Sequence, residues 1–230
     1  MLELKNIEYE ILREKIVKDF SLVVKGGEVI TLFGPSGCGK TTILRLISEI
    51  VTPKSGEILN DFKRTIYLFQ ENRLLDNLTA LENVLLTMPN PDTSEVLANF
   101  KMLGLSKKDA EKYPYELSGG MAKRVAFIRA ILAKPNLLLL DEPFVGLDED
   151  LKRVFIEILR KKIEHENLAI ILVTHDRFES LLLSNKVLFL SPKLMQIDKI
   201  LELKKPIKER DNAYITKNIE ENFKGIIYYD

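Results

Sequence analysis

An α/β fold with a mainly parallel core sheet is predicted by three features of this chain. The first is Gly34-Pro35-Ser36-Gly37-Cys38-Gly39-Lys40-Thr41, set between an apolar run, Val29–Phe33, and a segment of helical spacing that starts at Thr42. Its spacing, G-x-x-x-x-G-K-[ST], is that of a loop that wraps backbone N–H groups around phosphate. The second is a pair of further strand-length apolar runs, Leu137–Leu140 and Leu168–Val173, each ending in polar residues. The third is that helical patterns separate these runs. Strand–helix–strand alternation places helices on both faces of a parallel sheet.

In chain order, the first thirty residues read as strands. Leu2–Lys5 and Ile7–Ile11 alternate apolar and polar, and Gly26-Gly27 turns the chain into the strand before the loop. Pro53-Lys54-Ser55-Gly56 reads as a turn, and Arg64–Phe69 as a short strand ending at Gln70. Residues 79 to about 133 read as helices with breaks at Pro89, Pro91, Gly104 and Pro114, and look inserted into the α/β frame. Asp148–Glu164 and Phe178–Leu183 read as helices, and Val187–Leu190 as a strand. The charged stretch Lys204–Arg210 reads as a solvated turn. A C-terminal helix and tail are expected over 211–230. We divide the chain into a nucleotide-binding core with a β subdomain (1–78 and 135–210) and a helical subdomain (79–134).

Composition narrows the function. Lys+Arg and Asp+Glu are equal at 34 each, so no basic surface points to nucleic acid. The single cysteine, Cys38, excludes an internal disulfide and fits a reducing compartment. The N-terminus carries no signal-peptide pattern. No apolar run approaches the ~18 residues that span a bilayer. A soluble chain is expected, with any role at a membrane arising through a partner.

The chemistry gathers at strand ends. Glycines in the loop let successive N–H groups face phosphate oxygens, and the following helix N-terminus adds partial positive charge. Lys40, with Thr42 close by, can reach terminal phosphates, and the Thr41 hydroxyl can hold Mg²⁺. Asp141 and Glu142 end the Leu137–Leu140 run, where Asp141 can hold Mg²⁺ and Glu142 can polarise an attacking water. His175 follows another strand and can hydrogen-bond a γ-phosphate. Gln70 is a neutral amide able to ligate Mg²⁺ or the water. Ser118-Gly119-Gly120 opens a helix at Met121–Leu132 and forms a second anion-binding helix start. Cys38, beside Lys40 and a helix N-terminus, is expected to be a thiolate-prone, reactive handle that nucleotide protects.

Taken together, GPSGCGKTT (34–42), FQ (69–70), LSGGMAKRV (117–125), LLLLDEP (137–143), GLD (146–148) and THD (174–176) resemble the ATP-binding subunits of ABC transporters, in family order and over roughly residues 2–210. The resemblance implies a P-loop NTPase with an N-terminal antiparallel β subdomain. ATP and Mg²⁺ are the cofactors it implies, with two ATP molecules sandwiched in a head-to-tail homodimer. Lys40 and Thr41 of one chain would face Ser118 and Gly120 of the other, with Asp148 at the seam. The region around Gln70 and the helical segment would contact transmembrane permease subunits, served by a separate solute-binding protein. The chain would then lie peripherally on the cytoplasmic face of the cell membrane. FQENRLLDNLTALENV (69–84), ELSGGM (116–121) and LKKPIKERD (203–211) look like importer ATPases of the nitrate/sulfonate/taurine type, a group with relatives serving vitamin precursors. The chain departs from the family pattern twice. Ile11 stands where an aromatic ring usually stacks on adenine, with Tyr9 on the other strand face. The stretch from Val84 to Leu117 is short for the family, which implies a trimmed helical subdomain.

Two other classes share some of these motifs. A non-transport ABC ATPase of a cofactor-assembly machine stays open, whereas the repair type needs a long coiled coil for which this chain has no room. A P-loop small-molecule kinase lacks the signature and the Glu after Asp141.

Overall fold

The computed structural model describes residues 1–224; the last part of the expected C-terminal tail, 225–230, lies outside them. The chain opens with an antiparallel pair, β1 (Leu2–Ile11) and β2 (Glu14–Val24). The two alternating runs of the sequence merge into one strand whose register shifts around Asn6. There the φ of Asn6 is +48°, and its Nδ2 donates to Asp19 Oδ1 at 2.6 Å. β3 (Val29–Phe33) leads into the glycine-rich loop and α1 (Lys40–Ile47). β4 (Ser55–Asn60) then adds to β1, giving a three-stranded sheet in the order β2-β1-β4. The turn expected at Pro53–Gly56 is thus the start of a strand. Gly56 permits the pairing: a Cβ there would sit 2.5 Å from Lys5 O and 2.6 Å from Asn6 O.

β5 (Thr65–Leu68) precedes the helical segment of α2 (Ala80–Leu85), α3 (Thr93–Met102), α4 (Lys107–Ala110) and α5 (Gly119–Leu132). Its breaks fall where Pro and Gly demand them. Pro89 and Pro91 separate α2 from α3, Gly104 follows α3 at φ +72°, and Pro114 opens a short 3-10 turn. Thr79 and Glu82 form a capping box on α2, and Asp92 caps α3. The chain then runs through β6 (Leu137–Asp141), α6 (Glu149–Glu166), β7 (Ala169–Val173), α7 (Arg177–Leu183), β8 (Lys186–Leu190), β9 (Ile197–Glu202) and α8 (Asn212–Asn222). α8 lies within the C-terminal helix the sequence led us to expect. β9 was not foreseen: Ile197-Asp198-Lys199-Ile200-Leu201-Glu202 carries no clean alternation.

The core sheet has the order β5-β6-β7-β3-β8-β9, parallel except for the antiparallel edge strand β9. Its continuous apolar strands are explained by burial on both faces. Leu138, Leu140, Ile170 and Leu172 face a core shared with α5 and α6, where the rings of Phe127 and Phe155 stack 3.7 Å apart. Leu137, Leu139, Ile171 and Val173 face the opposite core with α1 and the antiparallel sheet. No helix among the described residues is long and apolar enough to cross a membrane.

The stretch Lys204–Arg210 is not a solvated turn. Ile207 and Arg210 are buried. The Arg210 guanidinium donates to the carbonyls of Leu181 (2.7 Å), Ser184 (2.6 Å) and Lys205 (2.9 Å), gathering the end of α7 and the approach to α8. Burial pulls its pKa down to about 10, so it remains a cation at neutral pH. Arg210→Met leaves those carbonyls without a donor, and the expected cost is about 2–4 kcal/mol. The melting temperature of the variant should fall by roughly 5–12 °C. A calorimetric scan that finds the transition unmoved would refute the clamp.

Candidate active site

Three parallel strands end side by side and deliver the site. Leu32 pairs with Val173, and Val173 with Asp141, so β3, β7 and β6 finish at one level. The carboxyl ends of parallel strands are where open α/β sheets bind ligands. From β3 the chain enters the loop and reaches Gly39, the residue preceding α1, at φ +111°. A Cβ there would meet Ile16 Cγ2 and Met195 Sδ, each at 3.2 Å, so conformation and space both select glycine.

Lys40 is buried, and its Nζ donates to Gly34 O (2.7 Å) and Pro35 O (2.8 Å), folding the side chain over its own loop. The Thr41 hydroxyl donates to Asp141 Oδ1 at 3.2 Å. Glu142, one residue past β6, takes a left-handed backbone at φ +47°. Its N–H is held by Val173 O at 2.9 Å. This conformation costs a non-glycine residue about 1 kcal/mol or more and must be imposed by its surroundings. Glu142 Oε1 accepts from His175 Nδ1 at 2.9 Å. Glu142 Oε2 is buried and has no hydrogen-bond partner. A buried carboxylate oxygen without a donor is unfavourable, so the site calls for a donor such as a water or a substrate hydroxyl.

A cleft of about 240 Å³ brings together Ser36, Gly37, Lys40, Thr41, Gln70, Asp141, Glu142 and His175. Gln70 is exposed and lies two residues beyond the end of β5. Thr42 is half-buried in the first turn of α1. Ser118, Gly119, Gly120 and Asp148 do not line this cleft. Ser118 caps α5, accepting from Met121 N–H at 3.3 Å, and a Cβ on Gly119 would meet nothing within 4 Å. Asp148 caps α6, accepting from Leu151 N–H at 2.8 Å.

For a metal, Thr41 and Asp141 offer a hydroxyl and a buried carboxylate side by side, with Gln70 in the same cleft. This hard-oxygen set fits Mg²⁺, which takes one or two protein ligands and completes its shell with water and phosphate. Among the described residues no group of three or more His, Cys, Asp or Glu forms an all-protein cage.

One reading of the sequence changes here. Cys38 is buried, and its Sγ lies against the position a Cβ of Gly34 would take, so it packs under the loop rather than out of it. Burial pushes the thiol pKa up; the charge and amide of Lys40 pull it down but do not prevail. Tyr9 is half-buried against the core beside α1, and Ile11 is 46% exposed. Sequence reasoning also missed two supports. The Tyr67 hydroxyl donates to Asp141 Oδ2 at 2.9 Å. Thr174 Oγ1 donates to buried Glu179 (2.6 Å), which Lys152 of α6 also reaches (2.8 Å), bracing the segment that carries His175. The strand reading of Arg64–Phe69 covered Tyr67 but could not choose which residue its hydroxyl meets.

The pattern of the ABC transporter family matches residues 17–145. The chain belongs to that family. It is an ABC ATPase in its fold as well as its motifs. Two dimeric structures of one cassette, MJ0796, one in a post-hydrolysis state bound to ADP and Pi and one described as a bacterial ABC transporter cassette, superpose at TM-score 0.77. They are 28% and 29% identical, and the match covers 90% of this chain and 100% of each of theirs. Curated relatives include the aliphatic sulfonates import ATP-binding protein SsuB of Bacillus cereus, 35% identical, with 86% of this chain and 83% of that protein covered. SsuB of Zymomonas mobilis is 37% identical, covering 89% and 88%. The spermidine/putrescine import ATP-binding protein PotA of Mycoplasma capricolum is 35% identical, covering 95% of this ATPase but 66% of PotA.

With its sulfur beneath the loop, Cys38 of the native ATPase should react with a small maleimide at least ~100-fold more slowly than the same thiol in denaturant. Mass spectrometry after timed quenching reads the rate. Alkylation of the native chain as fast as the denatured one would restore the reactive reading.

Proposed function

We propose that this chain is the ATP-hydrolysing subunit of a solute importer, working as a homodimer that closes head to tail over two ATP molecules. The observation that carries the hydrolytic reading is the Glu142 carboxylate, fixed by His175 through one oxygen and buried without a donor at the other. Glu142 is the general base: the unpartnered oxygen is the one able to accept a proton from water. His175 holds that carboxylate in place and is the group expected to sense the γ-phosphate. Gly34, Pro35, Ser36, Gly37, Cys38 and Gly39 offer backbone groups to the phosphates, with Thr42 near the loop. Lys40 releases its carbonyl partners to meet the phosphate charge. Thr41, Asp141 and Gln70 would hold Mg²⁺, which supplies charge neutralisation at the phosphate oxygens.

Ser118, Gly119, Gly120 and Asp148 stand outside the cleft with open space before Gly119, which supports a role toward the nucleotide of a second copy. The neighbours, which are dimeric, support the presence of a second copy. A groove of about 330 Å³ beside β5 and α5, lined by Ile50, Phe69 and Ala130 among others, is where we place the permease. The chain then sits peripherally at the cytoplasmic face of the membrane, with a solute-binding protein acting through the permease. Relatives named for sulfonates and for spermidine/putrescine, solutes of opposite charge, are equally similar to this chain. That supports placing solute choice in the other subunits. The motifs at 69–84, 116–121 and 203–211 favour the sulfonate/nitrate/taurine group, including its vitamin-precursor branch.

Glu142→Gln keeps the hydrogen-bonding shape but cannot accept the proton. Its turnover should fall by about 10²–10⁴-fold. Light scattering with Mg-ATP should find it trapped as a dimer, and a monomer that hydrolyses ATP normally would overturn the assignment.

Ser118→Arg should abolish hydrolysis yet leave ATP binding by the monomer intact, whereas Lys40→Ala should lose both. Mixing the two variants should restore one competent composite site per mixed dimer. If Ser118→Arg monomers lose nucleotide affinity as badly as Lys40→Ala, the in-trans role is wrong.

A further inference from the structure

Asp141 receives two hydrogen bonds from opposite sides. Thr41, itself a candidate metal ligand, donates to Oδ1. Tyr67, from the neighbouring strand β5, donates to Oδ2 at 2.9 Å. The strands are in register, with Tyr67 paired to Leu139 and Leu68 to Leu140, so a tyrosyl side chain is long enough to reach the carboxylate just past that level. The Tyr67 ring is not free to turn. It stacks on Phe69 with centroids 3.8 Å apart, and the Arg73 guanidinium covers the other ring of the pair at 4.1 Å from the Phe69 centroid. Arg73 is tied in turn to the helical segment, because Arg129 of α5 donates to Arg73 O (2.7 Å) and Asn72 O (2.9 Å).

Tyr67 and Phe69 also line two spaces at once. On one side is a small pocket of about 90 Å³ that contains Thr41 and Asp141. On the other is the groove of about 330 Å³ against α5. The pair of rings is the partition between them. The Tyr67 hydroxyl donates to Asp141 Oδ2 from this partition, so one side chain touches both the carboxylate and the groove.

We propose that Tyr67 is a positioning residue for the metal: its hydroxyl fixes one oxygen of Asp141 so that the other faces Thr41 and the cation, and its stacked ring ties that carboxylate to the wall of the groove. A carboxylate held at both oxygens presents one orientation to a cation. Freed at Oδ2 it can rotate, and part of the binding energy is then spent on ordering it. This inference rests on the reading of Thr41 and Asp141 as metal ligands.

The test is Tyr67→Phe, which deletes one oxygen and keeps the ring and its stack on Phe69. The readouts are Mn²⁺ binding by electron paramagnetic resonance in the presence of a non-hydrolysable ATP analogue, and analogue binding in EDTA. A hydrogen bond to a charged group supports an expected loss of about tenfold in Mn²⁺ affinity. Affinity for the analogue in EDTA should change less than about twofold, because the loop that holds the phosphates is untouched. Phe69→Leu, which keeps the hydroxyl but removes its stacking support, should give a smaller loss in the same direction. Mn²⁺ affinity equal to wild type in Tyr67→Phe overturns the positioning role while leaving the metal-site reading intact. Analogue binding in EDTA that falls as far as Mn²⁺ binding also overturns it, since the residue would then be merely structural. If the wild-type chain with analogue binds no Mn²⁺, the metal-site reading fails and this inference with it.

Discussion

The hydrogen bond from Glu142 N–H to Val173 O, 2.9 Å long, is the constraint on which the site depends. It extends the ladder of β6 and β7 by one residue after β6 has ended at Asp141. Just past that bond Glu142 takes a left-handed backbone, φ +47°, and the chain turns as it leaves the sheet, with Val145 N–H donating to Glu142 O. Asp141 is thereby left in strand geometry facing Thr41, while Glu142 meets His175 from the next strand end. Adjacent carboxylates on a continuing strand would point to opposite faces. The turn is what lets both line one cleft. Register among β3, β7 and β6 is thus a functional quantity, because a one-residue slip would exchange the two acids.

The same logic explains why the sheet has so little freedom in its sequence. Each central strand is buried on both faces, so its residues serve two cores alternately. Apart from Thr31 of β3, whose hydroxyl is paired with that of Ser184, polar chemistry enters where the strands stop. Asp141 follows Leu140, Thr174 follows Val173, and Gly34 follows Phe33. At each of these points the polar group has a named partner: Thr41 and Tyr67 for Asp141, Glu179 for Thr174, and Lys40 for the Gly34 carbonyl. Buried polar groups cost free energy unless they are paired, and this ring of partners is how the sheet's end tolerates them.

Much of this was legible in the sequence because the signals were local. The glycine-rich loop, the acid pair, the Ser118 cap and the proline breaks are each decided by residues within a few positions of one another. What was not legible depends on contacts distant along the chain. Tyr67 meets a carboxylate 74 residues away. Arg210 looked like one charge among many in Lys204–Arg210, and only the close of α7 beneath it makes it a buried clamp. Cys38 was misread for the same reason. Neighbouring Lys40 and the helix start argue for a thiolate, but the core beneath the loop decides the matter, and desolvation outweighs both. β4 was missed because Gly56 signals a turn, whereas here it marks the closest approach of two strands.

The helical segment is joined to this site by few but directional contacts. Arg129 of α5 holds the carbonyls of Asn72 and Arg73, just beyond Gln70, and Lys123 of the same helix donates to Val145 O, just beyond Glu142. One helix therefore grips both segments that flank the cleft. Its N-terminal end is capped by Ser118, next to Gly119, which faces open space. A helix is stiff along its axis, so a displacement at one end is carried to the other with little loss. Burial lowers the pKa of Lys123 and of Arg129, which marks both as cations partly withdrawn from water. Movement of α5 would accordingly drag the Gln70 and Glu142 segments together rather than one at a time. The contacts that would carry that movement are side chain to carbonyl, so they bind α5 to the backbone of both segments rather than to their side chains.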